Sequence, residues 1–236
     1  MDTEKYMRKR NMSELYFRQL DIWDPRKKNP TISIIGAGAI GSFTALALSK
    51  MGIKNIELID FDRVTKHNIS NQFVRLADLG KYKVDCVADI CKQFSPEKVN
   101  ISVQRNKFID PETSAEIVIA ATDNIESRVG VFEVVKESPL TRFYIDSRMG
   151  GELLHIFSFN PHSDKAKEYI NYFTKKPAKS LPCSARAILY NVLMCASLVG
   201  NIVRKYCVQK KIPFHIIYDM STLEQIVTWD GIDTDD

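Results

Sequence analysis

The sequence predicts an α/β fold: a doubly wound, mostly parallel sheet with helices on both faces and antiparallel strands at its C-terminal end. Three observations predict it. Between Thr31 and Ser147, short apolar β-branched runs alternate with segments of helical periodicity. A glycine-rich turn joins the first of those runs directly to the first of those helices. After Gly150 the pattern changes to period-two alternation, as in antiparallel strands.

The elements follow in order. Residues 1–30 are polar and helical in part around Glu14 to Leu20, with Pro25 and Pro30 breaking the approach to the first strand. Thr31-Ile32-Ser33-Ile34-Ile35 is that strand, and Ser42 to Met51, rich in Ala and Leu, is the helix after it. Asn55 to Asp60 is the second strand. From Lys81 to Phe94, Val84, Val87, Ala88 and Cys91 recur at helical spacing until Pro96 stops them. Asn100 to Gln104 and Glu116 to Thr122 are the next strands, the second apolar throughout and so buried on both faces. Ile125 to Glu137 is a helix and Phe143 to Ser147 the fifth strand. Glu152 to Phe159 alternates and Pro161 closes it; Lys165 to Phe173 is a short helix, and Thr174 to Pro182 a loop. A long helix from Ala185 to Gln209 precedes two strands, Phe214 to Asp219 and Gln225 to Trp229, joined by a tight turn. The whole, 1–236, is expected to be a single domain with an N-terminal extension (1–30), a nucleotide-binding core (31–149) and a C-terminal part of antiparallel strands, crossover loop and long helix (150–236).

Composition bounds the function. An apolar fraction of 44% and a charged fraction of 26% are those of an ordinary globular protein. A net charge of +4 over 236 residues does not argue for nucleic acid. The positive charge is clustered in Arg8-Lys9-Arg10, in Arg26-Lys27-Lys28 and between Lys165 and Lys179, where it is solvated surface or steers an acidic partner. Cys86, Cys91, Cys183, Cys195 and Cys207 form no CxxC, which fits a reducing cytoplasm better than a disulfide framework or a paired-thiolate zinc site. Met1 to Arg10 is too charged for a secretory signal. The most apolar run, Ala187 to Val203, falls short of the roughly 20 residues that a membrane span needs and reads as a buried helix.

The glycine turn carries the chemistry. Gly36-Ala37-Gly38-Ala39-Ile40-Gly41 sits between strand and helix, and the next strand ends on Asp60. In that context the glycines let the backbone approach phosphates, the helix N-terminus faces them, and Asp60 accepts from ribose hydroxyls. The plainer alternative is a tight turn in an α/β sheet that binds nothing.

Beyond Asp60 come Asp62 and Val64, then Asn68, Asn71-Gln72, Asp78-Leu79-Gly80 and Lys83; Tyr16-Phe17-Arg18-Gln19-Leu20 precedes the first strand, and Thr122-Asp123-Asn124 with Arg128 follows the fourth. This ordered set resembles the adenylyltransferase superfamily of the ubiquitin-activating enzymes and their ThiF/MoeB-type bacterial relatives, clearly over Tyr16 to Met149 and in outline beyond. The resemblance implies a Rossmann-like fold, ATP and Mg2+ as cofactors, and activation of the C-terminal carboxylate of a small ubiquitin-like or sulfur-carrier protein ending in Gly-Gly, or of a short peptide. It assigns Lys83 to the phosphates, Asp123 to the metal, Asn68 to the phosphate vicinity and Asp60 to the ribose. Gly36, Gly38 and Gly41 lie beneath the nucleotide, with Asp62, Asn71, Gln72 and Asn124 in the same motifs. It further implies a homodimer in which Arg18 reaches the partner's site; no nucleic-acid or membrane partner is expected from the small net charge and the short apolar run. In relatives that take the acyl group onto sulfur, the reactive cysteine lies in a crossover loop; here that position falls to Cys183, beside Lys179 and Arg186, or else Cys183 merely packs there.

Two departures stand out. The superfamily's usual arginine before the glutamine is Asn71, so a nearby arginine (Arg75 or Arg148) replaces it, or the protein is a weak or inactive member. The CxxC pairs that many relatives carry for zinc are missing. The competing readings are a non-catalytic adenylation-like partner subunit, for which Asn71 speaks, and an NAD(P)-dependent oxidoreductase, for which only the glycines and Asp60 speak.

Overall fold

The computed structural model describes residues 14–107, 115–175 and 188–229. Strands β1 (Thr31–Ile35), β2 (Asn55–Ile59), β3 (Asn100–Gln104), β4 (Ile117–Ala120), β5 (Phe143–Gly150), β6 (Leu153–Phe159), β7 (His215–Asp219) and β8 (Glu224–Thr228) form an eight-stranded sheet in the order β3-β2-β1-β4-β5-β6-β7-β8. Neighbours from β3 to β5 pair in parallel, and those from β5 to β8 antiparallel. The chain winds outward from β1 through β2 to β3, then returns to the other side of β1 with β4. That reversal opens a crevice at the carboxyl ends of β1 and β4.

The helices are α1 (Ala39–Met51), α2 (Lys83–Phe94), α3 (Ile125–Val135), α4 (Lys165–Lys175) and α5 (Leu189–Cys207). Alternate residues of the central strands face opposite cores, which is the consequence of a period of two. Ile117, Ile119, Phe143 and Ile145 join Leu48 of α1, Val87 and Cys91 of α2, and Cys195 and Val199 of α5. Val118, Ala120 and Tyr144 face the other way, onto Val131, Phe132 and Val135 of α3 and Tyr169 and Phe173 of α4. The second core is aromatic: the Phe132 ring lies 5.0 Å from Tyr169 and 5.3 Å from Tyr144, in tilted and edge-on contacts that add to area burial.

Element bounds moved where tertiary bonds overrode local pattern. The first helix starts at Ala39, not Ser42, because the Ser42 N–H already bonds the Gly38 carbonyl at 3.0 Å. α2 starts at Lys83 because Tyr82 is held in an antiparallel bridge with Arg63. β5 runs on to Gly150 because the hairpin with β6 pairs Gly150 with Leu153. The apolar helix α5 is buried along one face only: Leu189, Tyr190 and Leu193 of its first turns are exposed. Ala185 to Ala187 lie outside the described residues. No helix among the described residues is long and apolar enough to cross a membrane.

Candidate active site

The three glycines of the turn have different reasons to be glycine. Gly36 has φ +97°, and a Cβ there would sit 2.7 Å from the Ala121 carbonyl oxygen of the neighbouring strand end. A Cβ on Gly41 would come within 1.8 Å of the Gly36 carbonyl oxygen. Both are required by the turn itself. Gly38 is not: a Cβ there would meet nothing nearer than Gln72 Nε2 at 4.0 Å. Its bareness leaves clearance above the N-terminus of α1, where free N–H groups and the helix dipole favour an anion. Gly38→Ala should therefore leave stability within about 0.5 kcal/mol and weaken ATP binding, whereas Gly41→Ala should lose about 1–3 kcal/mol. Urea unfolding and calorimetry would measure the two; equal destabilisation would show that Gly38 serves the fold alone.

Asp60 closes the turn from β2. Its Oδ2 accepts from the Ala37 N–H and its Oδ1 from the Asp62 N–H, each at 2.8 Å. Asp62 in turn meets Lys83: Nζ to Oδ2 is 2.7 Å, and the Lys83 N–H donates to the Asp62 carbonyl at 2.9 Å. A hydrogen-bonded chain thus runs from the glycine turn to the first residue of α2. Lys83 is an unfavourable residue for that place, since a helix N-terminus repels a cation. Its side chain is nevertheless only 10% exposed, and its partner carboxylate is half exposed. Asp78 stiffens the connecting loop through Arg75 (2.9 Å) and Lys81 (3.1 Å). Burial pushes the Asp78 carboxyl up, but hydrogen bonds from the Arg75 side chain and backbone and from Lys81 outweigh it and bring the pKa down to about 2.

Between those anchors, Asn68 is buried and its Oδ1 accepts from the Thr65 N–H and hydroxyl, each at 2.8 Å. The Gln72 N–H bonds the Asn68 carbonyl at 2.9 Å, and the Phe73 N–H bonds Ser42 Oγ of α1 at 3.0 Å. This stitches the Asn68–Gln72 segment to the glycine turn. Of the arginines proposed to replace the charge lacking at Asn71, Arg75 is committed to Asp78 and, at 2.7 Å, to Asp89.

The end of β4 supplies the other wall. Asn124 caps α3, its Oδ1 accepting from the Ser127 N–H at 2.7 Å, while its Nδ2 donates to Asp123 Oδ1 at 3.1 Å. Asp123 itself is exposed. Beneath it, Arg128 is buried, ion-paired to Asp146 and bonded to the carbonyls of Thr122 and Ser147, the latter at 2.9 Å. Tyr169 Oη donates to the other Asp146 oxygen at 3.0 Å. One guanidinium thereby ties the end of β4 to the middle of β5. Asp146 was missed by sequence reasoning; its signal was a carboxylate directly after the apolar run Phe143-Tyr144-Ile145.

The sequence profile of the ThiF family matches residues 24–215. The chain belongs to the ThiF family. This ThiF-family chain is 30% identical over 124 residues to tRNA threonylcarbamoyladenosine dehydratase of Haemophilus influenzae, covering 49% of the chain and 46% of that relative. It is 28% identical over 119 residues to ubiquitin-like modifier-activating enzyme 5 of Bombyx mori, covering 44% and 30%. The chain thus spans less than half the length of these curated relatives. Among solved structures it is similar to E. coli MccB in complex with AMPCPP and MccA, with a TM-score of 0.71 at 17% identity over 94% of this chain and 73% of that one. That likeness shows a shared fold.

Not every residue singled out in the sequence lies at this edge of the sheet. Arg18 lies on a 3-10 turn (Phe17–Gln19) tied to the far end of α1, where Gln19 Nε2 donates to the Met51 carbonyl at 3.0 Å. The 13 residues of α1 put roughly 20 Å between that end and the glycine turn. Cys183 lies outside the described residues. Burial pushes the thiols of Cys91 to about 11 and of Cys195 and Cys207 to about 12, and also raises that of Cys86, so all four are inert core residues. Among the described residues no three His, Cys, Asp or Glu side chains cluster to hold a metal ion. A single exposed carboxylate such as Asp123 nonetheless suits Mg2+, which is held by one or two carboxylates together with substrate phosphates.

Proposed function

We propose that this ThiF-family protein is an ATP-dependent adenylyltransferase that converts a C-terminal carboxylate into an acyl-adenylate and releases pyrophosphate. The observation that carries the reading is Lys83: a buried ammonium at a helix N-terminus, linked through Asp62 and Asp60 to the glycine turn. A nicotinamide site needs the glycines and Asp60 but gives no reason for that lysine.

In this reading ATP lies along the carboxyl edge of the sheet. Asp60 accepts from its ribose, the Gly36–Gly41 turn and the α1 N-terminus meet the phosphates across the clearance at Gly38, and Lys83 and Asn68 close over them. Asp62, Asn71, Gln72 and Asn124 frame the same cradle. Asp123 holds Mg2+, which when bound supplies charge neutralisation on the leaving pyrophosphate. The attacking carboxylate is already ionised at neutral pH, so no general base is required. Its oxygen bonds to the α-phosphorus as the bond from that phosphorus to the bridging oxygen breaks. What the protein contributes is positioning and fixed positive charge where negative charge shifts.

The substrate proposed is a small ubiquitin-like or sulfur-carrier protein ending in Gly-Gly, or a short peptide. An extended tail without side chains threads to an α-phosphate that a folded surface cannot reach. A ubiquitin-like modifier-activating enzyme among the relatives, and the fold shared with an MccB solved with AMPCPP, support this reading. Arg18 is exposed and remote from its own glycine turn, which suits a homodimer in which it serves the partner's site. The second reading, a nucleotide-binding partner subunit without catalysis, is favoured by Asn71 together with the commitment of Arg75 to Asp78 and Asp89.

Calorimetry with ATP–Mg2+ and with NAD, followed by ATP–pyrophosphate exchange in the presence of Gly-Gly-terminated proteins and peptides, tests the proposal. ATP binding and carboxylate-dependent exchange are expected. Binding of NAD in preference to ATP overturns it; ATP binding with no exchange against any such carboxylate selects the partner-subunit reading.

A further inference from the structure

Along the carboxyl edge the strand ends fall in the order β2, β1, β4, β5, and they present Asp60, the glycine turn, Asp123 and Arg148 in that order. Arg148 stands two residues beyond Asp146, whose register partner on β4 is Ala120. Position 148 is therefore level with Thr122, one strand past the point where β4 delivers Asp123.

The Arg148 side chain is held but not paired. Its guanidinium lies 4.9 Å from the Phe173 ring centroid, 5.0 Å from Tyr172 and 5.8 Å from Phe157. These contacts set the guanidinium against three aromatic rings. Arg26, Arg75, Arg105 and Arg128 all meet carboxylates, whereas Arg148 has no ion pair among the described residues. Among the described residues its buried Nε has no hydrogen-bond partner, and neither has the buried Oγ1 of Thr122, just past the end of the adjoining strand. Buried donors left unmade cost free energy, and two of them level on neighbouring strands ask for an acceptor.

A nucleotide laid from Asp60 across the glycine turn brings its phosphates to Asp123. In-line displacement at the α-phosphate sets the attacking group opposite the leaving pyrophosphate, so with the pyrophosphate drawn toward Lys83 and Asn68 the attack comes from the β5 side. We propose that Arg148, with the Thr122 hydroxyl, receives the terminal carboxylate of the acyl substrate and aims it at the α-phosphate; this rests on the adenylation reading. A planar guanidinium matches a carboxylate through parallel N–H donors, a geometry that lysine does not reproduce. Arg148 thus acts on the acyl side of the reaction and leaves nucleotide affinity to the glycine turn and Lys83.

The test uses the full chain with 15N-labelled arginine, and the Arg148 Nε–H resonance is assigned by its loss in Arg148→Lys. Glycylglycine is the probe and glycylglycinamide the control, with AMPCPP–Mg2+ titrated in a parallel sample and folding checked by circular dichroism. The Arg148 resonance should shift saturably with the dipeptide and not with its amide. Arg148→Gln should bind glycylglycine about tenfold to a hundredfold more weakly, the usual worth of a charge-assisted hydrogen bond, with AMPCPP affinity unchanged. No shift, an equal shift with the amide, or a shift driven by AMPCPP–Mg2+ alone would overturn the proposal. AMPCPP failing to bind while glycylglycine still shifts Arg148 would bring down the adenylation reading and leave the carboxylate site standing.

Discussion

Arg128→Ala is expected to lose about 3–5 kcal/mol of stability, the cost of leaving one partner of a buried ion pair behind. Asp146 has no exposed surface, and without Arg128 its carboxylate keeps, among the described residues, only the Tyr169 hydroxyl. The carbonyls of Thr122 and Ser147 lose their donor in the same step. Against a typical total of about 5–15 kcal/mol, such a loss decides whether the protein is folded at moderate temperature. Urea unfolding measures it. The double variant Arg128→Met with Asp146→Leu should recover part of the loss, because no orphaned charge remains and the site stays filled. Its Asp123 would rest on a looser strand end, so nucleotide turnover should stay low even where stability returns. A single variant within about 1 kcal/mol of the parent would show that the pair contributes no more than a surface salt bridge does.

Lys83→Ala should act in the opposite way, on chemistry and not on folding. Removing one charged group that stabilises a transferring phosphoryl costs about 10²–10³ in rate. Stability should change by under about 1 kcal/mol, because the partner Asp62 is half exposed and keeps its solvation. The α2 N-terminus also loses a cation that it disfavours. Asp123→Ala should match it in carboxylate-dependent pyrophosphate exchange, with the fold intact by circular dichroism. Full exchange in both variants would remove Lys83 and Asp123 from the site. Loss of exchange together with loss of cooperative unfolding would assign them to the fold.

The strand–turn–helix–strand unit from Thr31 to Asp60 was legible because its parts are neighbours in sequence and each has a local cause. Apolar β-branched runs make strands, glycine allows the turn at Gly36 and Gly41, and Ala and Leu favour the helix. The uninterrupted apolarity of β4 likewise announced a strand covered on both sides, as the two cores confirm. The change to antiparallel pairing after Gly150 was visible in the period of the pattern alone. The motif residues Asp60, Asp62 and Lys83 were legible as a set; their bonding into one chain was not.

What only the tertiary structure decided were the relations between distant residues. Arg128 read as one member of a motif and Asp146 as one residue of a strand, and only the pairing of β4 with β5 under α3 and α4 makes them one buried unit. The choice between Arg75 and Arg148 was open in the sequence, since composition does not say which guanidinium already has its carboxylates. The structure separates them: Arg75 holds Asp78 and Asp89, and Arg148 rests on aromatic rings. The three glycines read alike in sequence and differ in space, because a missing Cβ matters only against whatever the fold brings beside it. Residue type and spacing determined the elements and the chemistry within reach of each turn. The strand order, by choosing which ends meet at one edge, determined which of those groups act together.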